Sequence, residues 1–134
     1  MPTYHEEAAT RQQASLHTFT VFPEDLNYTG SLFGGKLLSE MDMAAIKPVR
    51  RILYGTSCDG AVTVSLDKVD FKNPAYLGDI IELHASIVRM GRTSIDVAVH
   101  VSREDQAGEV ATICEARFTF VSLKDNEPHP HGRD

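Results

Sequence analysis

The stretch that decides the fold runs from Asn27 to Asp42 and reads Asn-Tyr-Thr-Gly-Ser-Leu-Phe-Gly-Gly-Lys-Leu-Leu-Ser-Glu-Met-Asp. Its first half is a loop that contains glycines, and from Leu37 onward the apolar residues recur at the spacing of one helix face. Gly34 and Gly35 stand where this pattern begins, and glycine lets the backbone approach another group closely. The pattern therefore predicts a loop that leads directly into a helix.

The start of that helix has features that suit a catalytic site. It would present free backbone N–H groups and the positive end of the helix dipole to whatever lies in front of it. Asp42, two turns further on, lies at the edge of the apolar face, whereas Glu40 is expected to face solvent. Amides that can stabilise an oxyanion, together with a half-buried carboxylate, suit an acyl-transfer site. A tight turn before a helix with a solvated aspartate explains the same residues, so spacing alone leaves both interpretations open.

Composition bounds the class of protein. With 134 residues, 42% hydrophobic and 24% charged, the chain is expected to form one domain with a substantial core. The net charge of -6 disfavours general nucleic-acid binding, and no apolar run approaches the roughly 18 to 20 residues of a membrane span. The polar, acidic N-terminus does not resemble a signal peptide, and Cys58 and Cys114 lack metal-ligand spacing. We expect a cytoplasmic protein with free thiols and no metal, bound to neither nucleic acid nor membrane.

Periodicity predicts the remaining elements. The helix should extend from about Gly34 to Leu53, and Pro48 within it should kink or interrupt it. The β-branched and aromatic run Leu16–Phe22 predicts one strand before the helix. Period-two alternation predicts three longer antiparallel strands after it, within segments 62–71, 81–87 and 95–101, the first with a β-bulge near residues 67–68. Apolar residues on both faces of segment 110–123 predict a fourth, central strand.

These elements predict an α+β fold. A single helix cannot cover both faces of such a sheet, so we expect a curved antiparallel sheet of five to six strands wrapped around a long central helix. A second copy is expected to join an exposed edge of the sheet. Residues 1–14 are interpreted as an N-terminal extension, 15–124 as the domain, and 125–134 as a flexible tail.

A family resemblance extends this interpretation. The pattern Asn27-x-x-Gly30-x-x-Phe33-Gly34-Gly35-x-Leu37-Leu38-x-x-Met41-Asp42 resembles the helix motif of hotdog-fold acyl-CoA thioesterases, the acyl-CoA hydrolase family with its bacterial short- and medium-chain members. Five further matching stretches follow in the family's order: Val62–Val64, Val69–Phe71, Asn73–Asp79, Gly91–Ser94 and Phe118–Val121. The resemblance implies a hotdog fold over residues 15–124 with acyl-CoA sites between two protomers. It also implies a homo-oligomer, a dimer at least and a hexamer built as a trimer of dimers.

The resemblance implies roles for individual residues. Asp42 would act as general base or as nucleophile in hydrolysing acyl-CoA to free fatty acid and CoA. The amides of Gly34 and Gly35 would polarise the thioester carbonyl, and Asn27 would order a water or the loop itself. CoA is part of the substrate, so no cofactor is implied.

The resemblance also implies which residues contact the substrate. The resemblance places Phe33, Arg92, Thr93 and Ser94 at the substrate, the last three near the phosphates or the pantetheine of CoA.

A hotdog dehydratase would need a histidine beside its acidic residue, and residues 19–82 contain none. A non-catalytic acyl-CoA-binding protein on the same fold stays open, although it would have no need of the Asp42 carboxylate.

Overall fold

The computed structural model describes residues 13–134; residues 1–12, most of the predicted N-terminal extension, lie outside the described part. A 3₁₀ turn, Pro23–Asp25, precedes the helix. The helix and strands are α1 (Gly34–Leu53), β1 (Ala14–Thr20), β2 (Gly60–Phe71), β3 (Ile80–Met90), β4 (Ser94–Glu104), β5 (Val110–Lys124) and β6 (Glu127–Pro128).

The strands form one antiparallel sheet. Its order is β1-β3-β4-β5-β2, and the short β6 pairs with β5. Helix α1 contacts all five long strands, so the sheet curves around it. The predicted α+β architecture, a central helix wrapped by five to six antiparallel strands, is confirmed.

The core lies between α1 and the concave face of the sheet. Helix residues at successive turns are fully or almost fully buried, as the apolar spacing predicts: Leu37, Met41, Ala44, Ala45 and Val49. They meet strand residues that alternate along the chain: Ile81, Leu83, Ile95, Val97, Val99, Val101, Phe118 and Phe120. No helix within residues 13–134 is both long enough and apolar enough to cross a bilayer.

Pro48 does not interrupt α1, contrary to one of the two expected outcomes. The helix continues for five residues beyond it, to Leu53. Proline has no N–H to donate to the carbonyl four residues earlier, which here belongs to Ala44. The hydroxyl of Ser15, on β1, donates to this carbonyl instead at 3.0 Å. A side chain from the sheet thus replaces the hydrogen bond that proline removes.

The predicted irregularity in β2 is present. The pairing of β2 with β5 shifts register between Asp67 and Asp70, and Lys68 has a φ of 53°. A second register shift lies between Thr63 and Ser65. These two bulges bend β2 relative to α1.

The segment predicted to be a flexible tail packs against the domain. Residues 127–128 form β6, and His131 is 3% exposed. The guanidinium of Arg133 donates to the carbonyls of Ile52 and Tyr54 at 3.2 Å each. This polar, proline-containing segment therefore has partners in the domain, because backbone carbonyls far back in the sequence accept its hydrogen bonds.

Candidate active site

The glycine pair opens helix α1, as predicted. Gly34 is the first residue of the helix, and Phe33 caps it without a side-chain hydrogen bond. The first helical bond from this end runs from the N–H of Leu37 to the carbonyl of Phe33 at 3.1 Å. The amides of Gly34 and Gly35 consequently have no partner within the helix, and the positive end of the dipole lies at the same point.

A side chain at position 35 would meet the ring of its neighbour Phe33. A Cβ at this position would lie 2.6 Å from the ring of Phe33, whereas at Gly34 the nearest atom, in the ring of Phe71, would be 3.7 Å away. The Phe33 side chain thus folds back over the first turn of α1 while remaining 54% exposed. Any other residue at Gly35 would displace this ring or the helix start.

Asp42 is half-buried, and its carboxylate has a defined partner. The hydroxyl of Thr63, on β2, donates to Asp42 Oδ1 at 2.6 Å. This hydrogen bond joins the helix to the edge strand and fixes the orientation of the carboxylate. Sequence reasoning did not single out Thr63, because its 21-residue separation from Asp42 carries no pattern.

The side chain of Asn27 stabilises the loop in which it lies through hydrogen bonds. Its Oδ1 accepts hydrogen bonds from the backbone N–H groups of Thr29 and Ser31 at 3.0 and 3.1 Å, and its Nδ2 donates to the Ser31 hydroxyl at 3.1 Å. This is the local side-chain bonding for which asparagine is favoured in turns. Of the two expected roles, the hydrogen bonds favour ordering of the loop that precedes the glycine pair.

The 91–94 turn joins β3 to β4. Arg92 is exposed, and the carbonyl of Thr93 accepts hydrogen bonds from the Ser122 N–H at 2.8 Å and the Ser122 hydroxyl at 3.2 Å. No hydrogen bond within residues 13–134 links this turn to Asp42 or to the glycine pair. Strand pairing places Ser94 opposite Val121, which pairs on its other side with Val62, next to Thr63.

Glu40 is buried rather than solvated, so that expectation is wrong. It is 8% exposed, and its carboxylate contacts Lys36 Nζ at 3.0 Å and His17 Nε2 at 3.1 Å. The hydrogen bond with Glu40 raises the pKa of Lys36 above its ordinary value. Asp25 lies 3.7 Å from the same ammonium. The curved sheet and the 23–25 turn cover the flank of α1 that a helical wheel assigns to water.

Two clefts open along α1. One, of about 280 Å³, lies beside Gly34 and is lined on its other side by residues 71–75. The second, of about 350 Å³, lies at the C-terminal end of α1 and is called the C-terminal cleft below. Its lining residues are Ile46, Arg50, Leu53, Tyr54, Cys58, Asp59, Gly60 and Ala61. Within residues 13–134 no group of three or more His, Cys, Asp or Glu side chains is placed to hold a metal ion.

Comparison with known proteins identifies the family. The model of the thioesterase superfamily matches residues 29–110, which include the glycine pair, Asp42 and Thr63. An uncharacterized acyl-CoA thioester hydrolase of Haemophilus influenzae is 32% identical over 108 residues, which are 78% of this chain and 68% of that protein. A hexameric hotdog-fold thioesterase of Campylobacter jejuni superposes with a TM-score of 0.74 at 35% identity and covers 85% of this chain and 86% of its own.

A third relative carries ligands. The acyl-CoA hydrolase of Staphylococcus aureus, solved with butyryl-CoA and CoA, superposes with a TM-score of 0.80 at 28% identity, over 90% of this chain and 73% of its own. Structures of that enzyme also exist for variants in which one asparagine, one aspartate or one threonine is replaced by alanine. The chain described here belongs to the thioesterase superfamily and, within it, to the hotdog-fold acyl-CoA thioester hydrolases.

Proposed function

We propose that Asp42 is the catalytic carboxylate with which this chain hydrolyses acyl-CoA to a free fatty acid and CoA. The single observation that carries the proposal is the hydrogen bond from Thr63 to Asp42 Oδ1 at 2.6 Å on a half-buried helix face. This bond occupies one carboxylate oxygen and leaves Oδ2 to accept a proton from water. Asparagine, aspartate and threonine, the residue types replaced in the Staphylococcus aureus enzyme, are those of Asn27, Asp42 and Thr63.

The reaction requires only water and the thioester. As general base, Asp42 takes a proton from water while the water oxygen attacks the thioester carbonyl carbon. The oxyanion then collapses, the C–S bond breaks, and the CoA thiolate recovers the proton. As nucleophile, the carboxylate would instead form a mixed anhydride with the acyl group, which water then hydrolyses. Incorporation of ¹⁸O from labelled water into Asp42 during a single turnover is diagnostic of the second route with water attack on the Asp42 carbonyl, whereas water attack on the acyl carbon places the label in the fatty acid, as in the first route.

We assign stabilisation of the oxyanion to the backbone amides of Gly34 and Gly35. Each donor of this kind contributes roughly 2.7 to 4 kcal/mol to transition-state stabilisation. At 1.5 Å of rise per residue, the glycine pair lies about 10 to 12 Å from Asp42 along the axis of α1. One thioester cannot contact both groups of the same helix, because each must approach within about 3 Å. The site is therefore proposed to combine Asp42 of one protomer with the glycine pair of another.

An exposed sheet edge supports such an assembly. Within residues 13–134, β2 pairs with β5 on one side and leaves its other edge free. Large apolar side chains on this strand are 38–55% exposed: Val62, Val64, Leu66, Val69 and Phe71. A long apolar edge strand is normally covered by another chain. We assign this edge to a homodimer and, on the hexameric state of the Campylobacter jejuni thioesterase, the full assembly to a trimer of dimers.

The proposal is tested by the release of free thiol from acyl-CoAs of increasing chain length, with wild type and Asp42→Asn compared. The variant keeps the shape of the side chain and loses its basicity, so kcat should fall about 10²- to 10⁴-fold. Asp96→Asn is the matched control, because Asp96 also accepts a hydrogen bond from a threonine, Thr119, at 2.9 Å. Its activity should stay within about threefold of wild type.

Three results would count against the proposal. An equal loss in both variants would mean that an Asp–Thr bond serves only stability. Full activity of Asp42→Asn would keep the reaction and remove Asp42 from its centre. Wild type that binds acyl-CoA without turnover would leave a non-catalytic binding protein.

A further inference from the structure

The first turn of α1 lacks the groups that usually stabilise the start of a helix. Phe33 stands at the N-cap without a side-chain hydrogen bond, and the turn contains Lys36 but no acidic residue. A cation at this end of a helix opposes the dipole, and an uncapped end leaves backbone N–H groups without partners. Groups outside the helix therefore have to fix the amides of Gly34 and Gly35 in place.

Asp25 contacts the chain on both sides of the glycine pair. Its carbonyl accepts a hydrogen bond at 2.8 Å from the N–H of Phe33, the residue directly before Gly34. Its carboxylate oxygen Oδ1 lies 3.7 Å from the ammonium of Lys36, the residue directly after Gly35. We call these two contacts the Asp25 clamp. The glycine pair thus lies between two points that are held by one residue.

Asp25 is itself fixed to the body of the domain. It is 7% exposed, and its second carboxylate oxygen, Oδ2, accepts a hydrogen bond from the N–H of Phe22 at 2.9 Å. The next residue, Leu26, forms an antiparallel bridge with Leu32, which closes the loop between them. A buried carboxylate with both oxygens engaged keeps one orientation, so it can serve as a fixed point for the helix start.

Lys36 is oriented by a second carboxylate. Its ammonium lies 3.0 Å from Oε1 of Glu40 and 5.8 Å from the centroid of the Phe19 ring, and Glu40 also contacts His17 at 3.1 Å. Glu40 and Asp25 are both buried, and a buried carboxylate without a cation would be strongly destabilising. Lys36 therefore links the first turn of α1 to β1 and to the 3₁₀ turn.

We propose that Asp25 and Lys36 are positioning residues for the reaction, because the Asp25 clamp directs the amides of Gly34 and Gly35 at the developing oxyanion. The inference rests on the proposed function, since it needs the thioester oxygen to lie at these amides. Neither Asp25 nor Lys36 touches the substrate in this scheme. Oxyanion donors act at about 2.7 to 3.1 Å from the oxygen, and a displacement of about 1 Å costs about 10²-fold in rate.

Charge and position predict opposite effects for Asp25→Asn. The substitution removes a negative charge near the start of α1, so an effect of charge alone would raise kcat. The new amide still caps the turn when its oxygen accepts the N–H of Phe22, but its NH₂ group then faces Lys36 and no longer holds the ammonium. We expect kcat to fall about tenfold while KM stays within about twofold, because the amides act in the transition state.

Lys36 provides a second pair of variants, and Asp105 provides the control. Lys36→Met loses the charge and should lower kcat about tenfold, whereas Lys36→Arg keeps a cation between the carboxylates and should recover most of the activity. Asp105 also caps a turn, through the N–H groups of Ala107 and Glu109 at 2.9 Å each, and lies 3.8 Å from Arg103. Asp105→Asn should keep the wild-type kcat.

The infrared stretch of a bound carbonyl measures the hydrogen bonds of the amides directly. The probe is an acyl-CoA analogue in which a methylene group replaces the thioester sulfur, so that a ¹³C-labelled ketone binds without hydrolysis. Binding to wild type should lower the stretching frequency, because hydrogen bonds to the oxygen weaken the C=O bond. Asp25→Asn and Lys36→Met should reverse most of this shift, whereas Lys36→Arg and Asp105→Asn should keep it.

The outcomes are distinct. A shift that Asp25→Asn and Lys36→Met both retain, a rise in kcat for Asp25→Asn, or an equal loss in Asp105→Asn would overturn the inference and leave the proposed function standing. No shift on binding to wild type would overturn the inference together with the assignment of the oxyanion to the glycine pair. Wild type that shows the shift without turning over acyl-CoA would overturn the proposed function, and the shifts of the variants would then decide the inference. If Asp25→Asn does not fold, the comparison of Lys36→Met with Lys36→Arg decides it.

Discussion

At the scale of single residues, the proposed chemistry depends on one contact between side chains. A carboxylate on a helix normally turns toward water, but the Thr63 hydroxyl holds Asp42 Oδ1 at 2.6 Å. Hydrogen bonds to an ionised acceptor are short and directional, so the carboxylate keeps one orientation. We therefore propose Thr63 as a positioning residue for Asp42.

Replacing Thr63 tests that role. Thr63→Ala should lower kcat about 10- to 100-fold with little change in KM, because orientation matters most in the transition state. Thr63→Ser keeps the hydroxyl and should recover most of the activity. Steady-state kinetics with a thiol reagent provide the measurement. Equal losses in the serine and alanine variants would assign Thr63 a packing role only.

Cys114 illustrates how burial suppresses reactivity. It is fully buried, and burial raises its pKa from 9.0 to about 11. The thiol therefore stays protonated at neutral pH, and its contribution to stability, complete below pH 9, should decline as the pH rises toward 11. At pH 8, a maleimide should label half-buried Cys58 in the native protein and Cys114 only on unfolding. Mass spectrometry of the labelled peptides checks this, and fast native labelling of Cys114 would contradict it.

At the scale of elements, the continuity of α1 depends on β1. Pro48 leaves the carbonyl of Ala44 without its helical partner, and the Ser15 hydroxyl supplies one. A proline that would otherwise break a helix is tolerated because the sheet provides the missing donor. The part of α1 after Pro48, which lines the C-terminal cleft, therefore continues the same helix as the part that carries Asp42.

A double-mutant cycle measures this compensation. Ser15→Ala should cost roughly 1 to 3 kcal/mol of unfolding free energy, because the Ala44 carbonyl loses the hydroxyl that replaces the helical N–H. In a Pro48→Ala background the helical N–H returns, so the same change should cost about 1 kcal/mol less. Urea unfolding of the four proteins gives the coupling. Additive effects would show that Ser15 does not compensate for the proline.

At the scale of the whole molecule, the distance between the glycine pair and Asp42 means that the proposed catalytic site requires two protomers. The free edge of β2 offers the surface for it, and in a two-fold dimer each protomer would provide one half of each of two equivalent sites. Activity should then be a property of the oligomer.

Mixing two inactive variants tests a shared site. Asp42→Asn lacks the base, and Gly35→Val places a branched side chain against the Phe33 ring. If the halves come from different protomers, co-expression gives mixed dimers with one intact site, and about a quarter of wild-type activity should return. The assay compares co-expressed protein with each variant alone, after mass spectrometry of the native oligomer confirms mixing. Mixed oligomers without recovered activity would place the whole site within one chain.

Local patterns account for much of the fold and part of the site. The repeat of apolar residues from Leu37 to Val49 and the alternation in the strands are periodic, and they predicted α1 and the sheet within a few residues. The sequence predicted that the glycine pair begins α1, because this position depends only on the local backbone conformation. Glu40 was assigned to solvent wrongly, because a helical wheel contains no information on a sheet that curves around both flanks of the helix.

By itself, the sequence determined the helix that begins at Gly34, the antiparallel strands around it, and Asp42 at the edge of the buried helix face, since each depends on residues a few positions apart. Only the tertiary structure decided that Thr63 bonds to Asp42, that Ser15 compensates for Pro48, and that residues 127–133 pack against the end of α1. These contacts join residues that are distant along the chain. Their energies depend on how the elements pack, and no local periodicity encodes that packing.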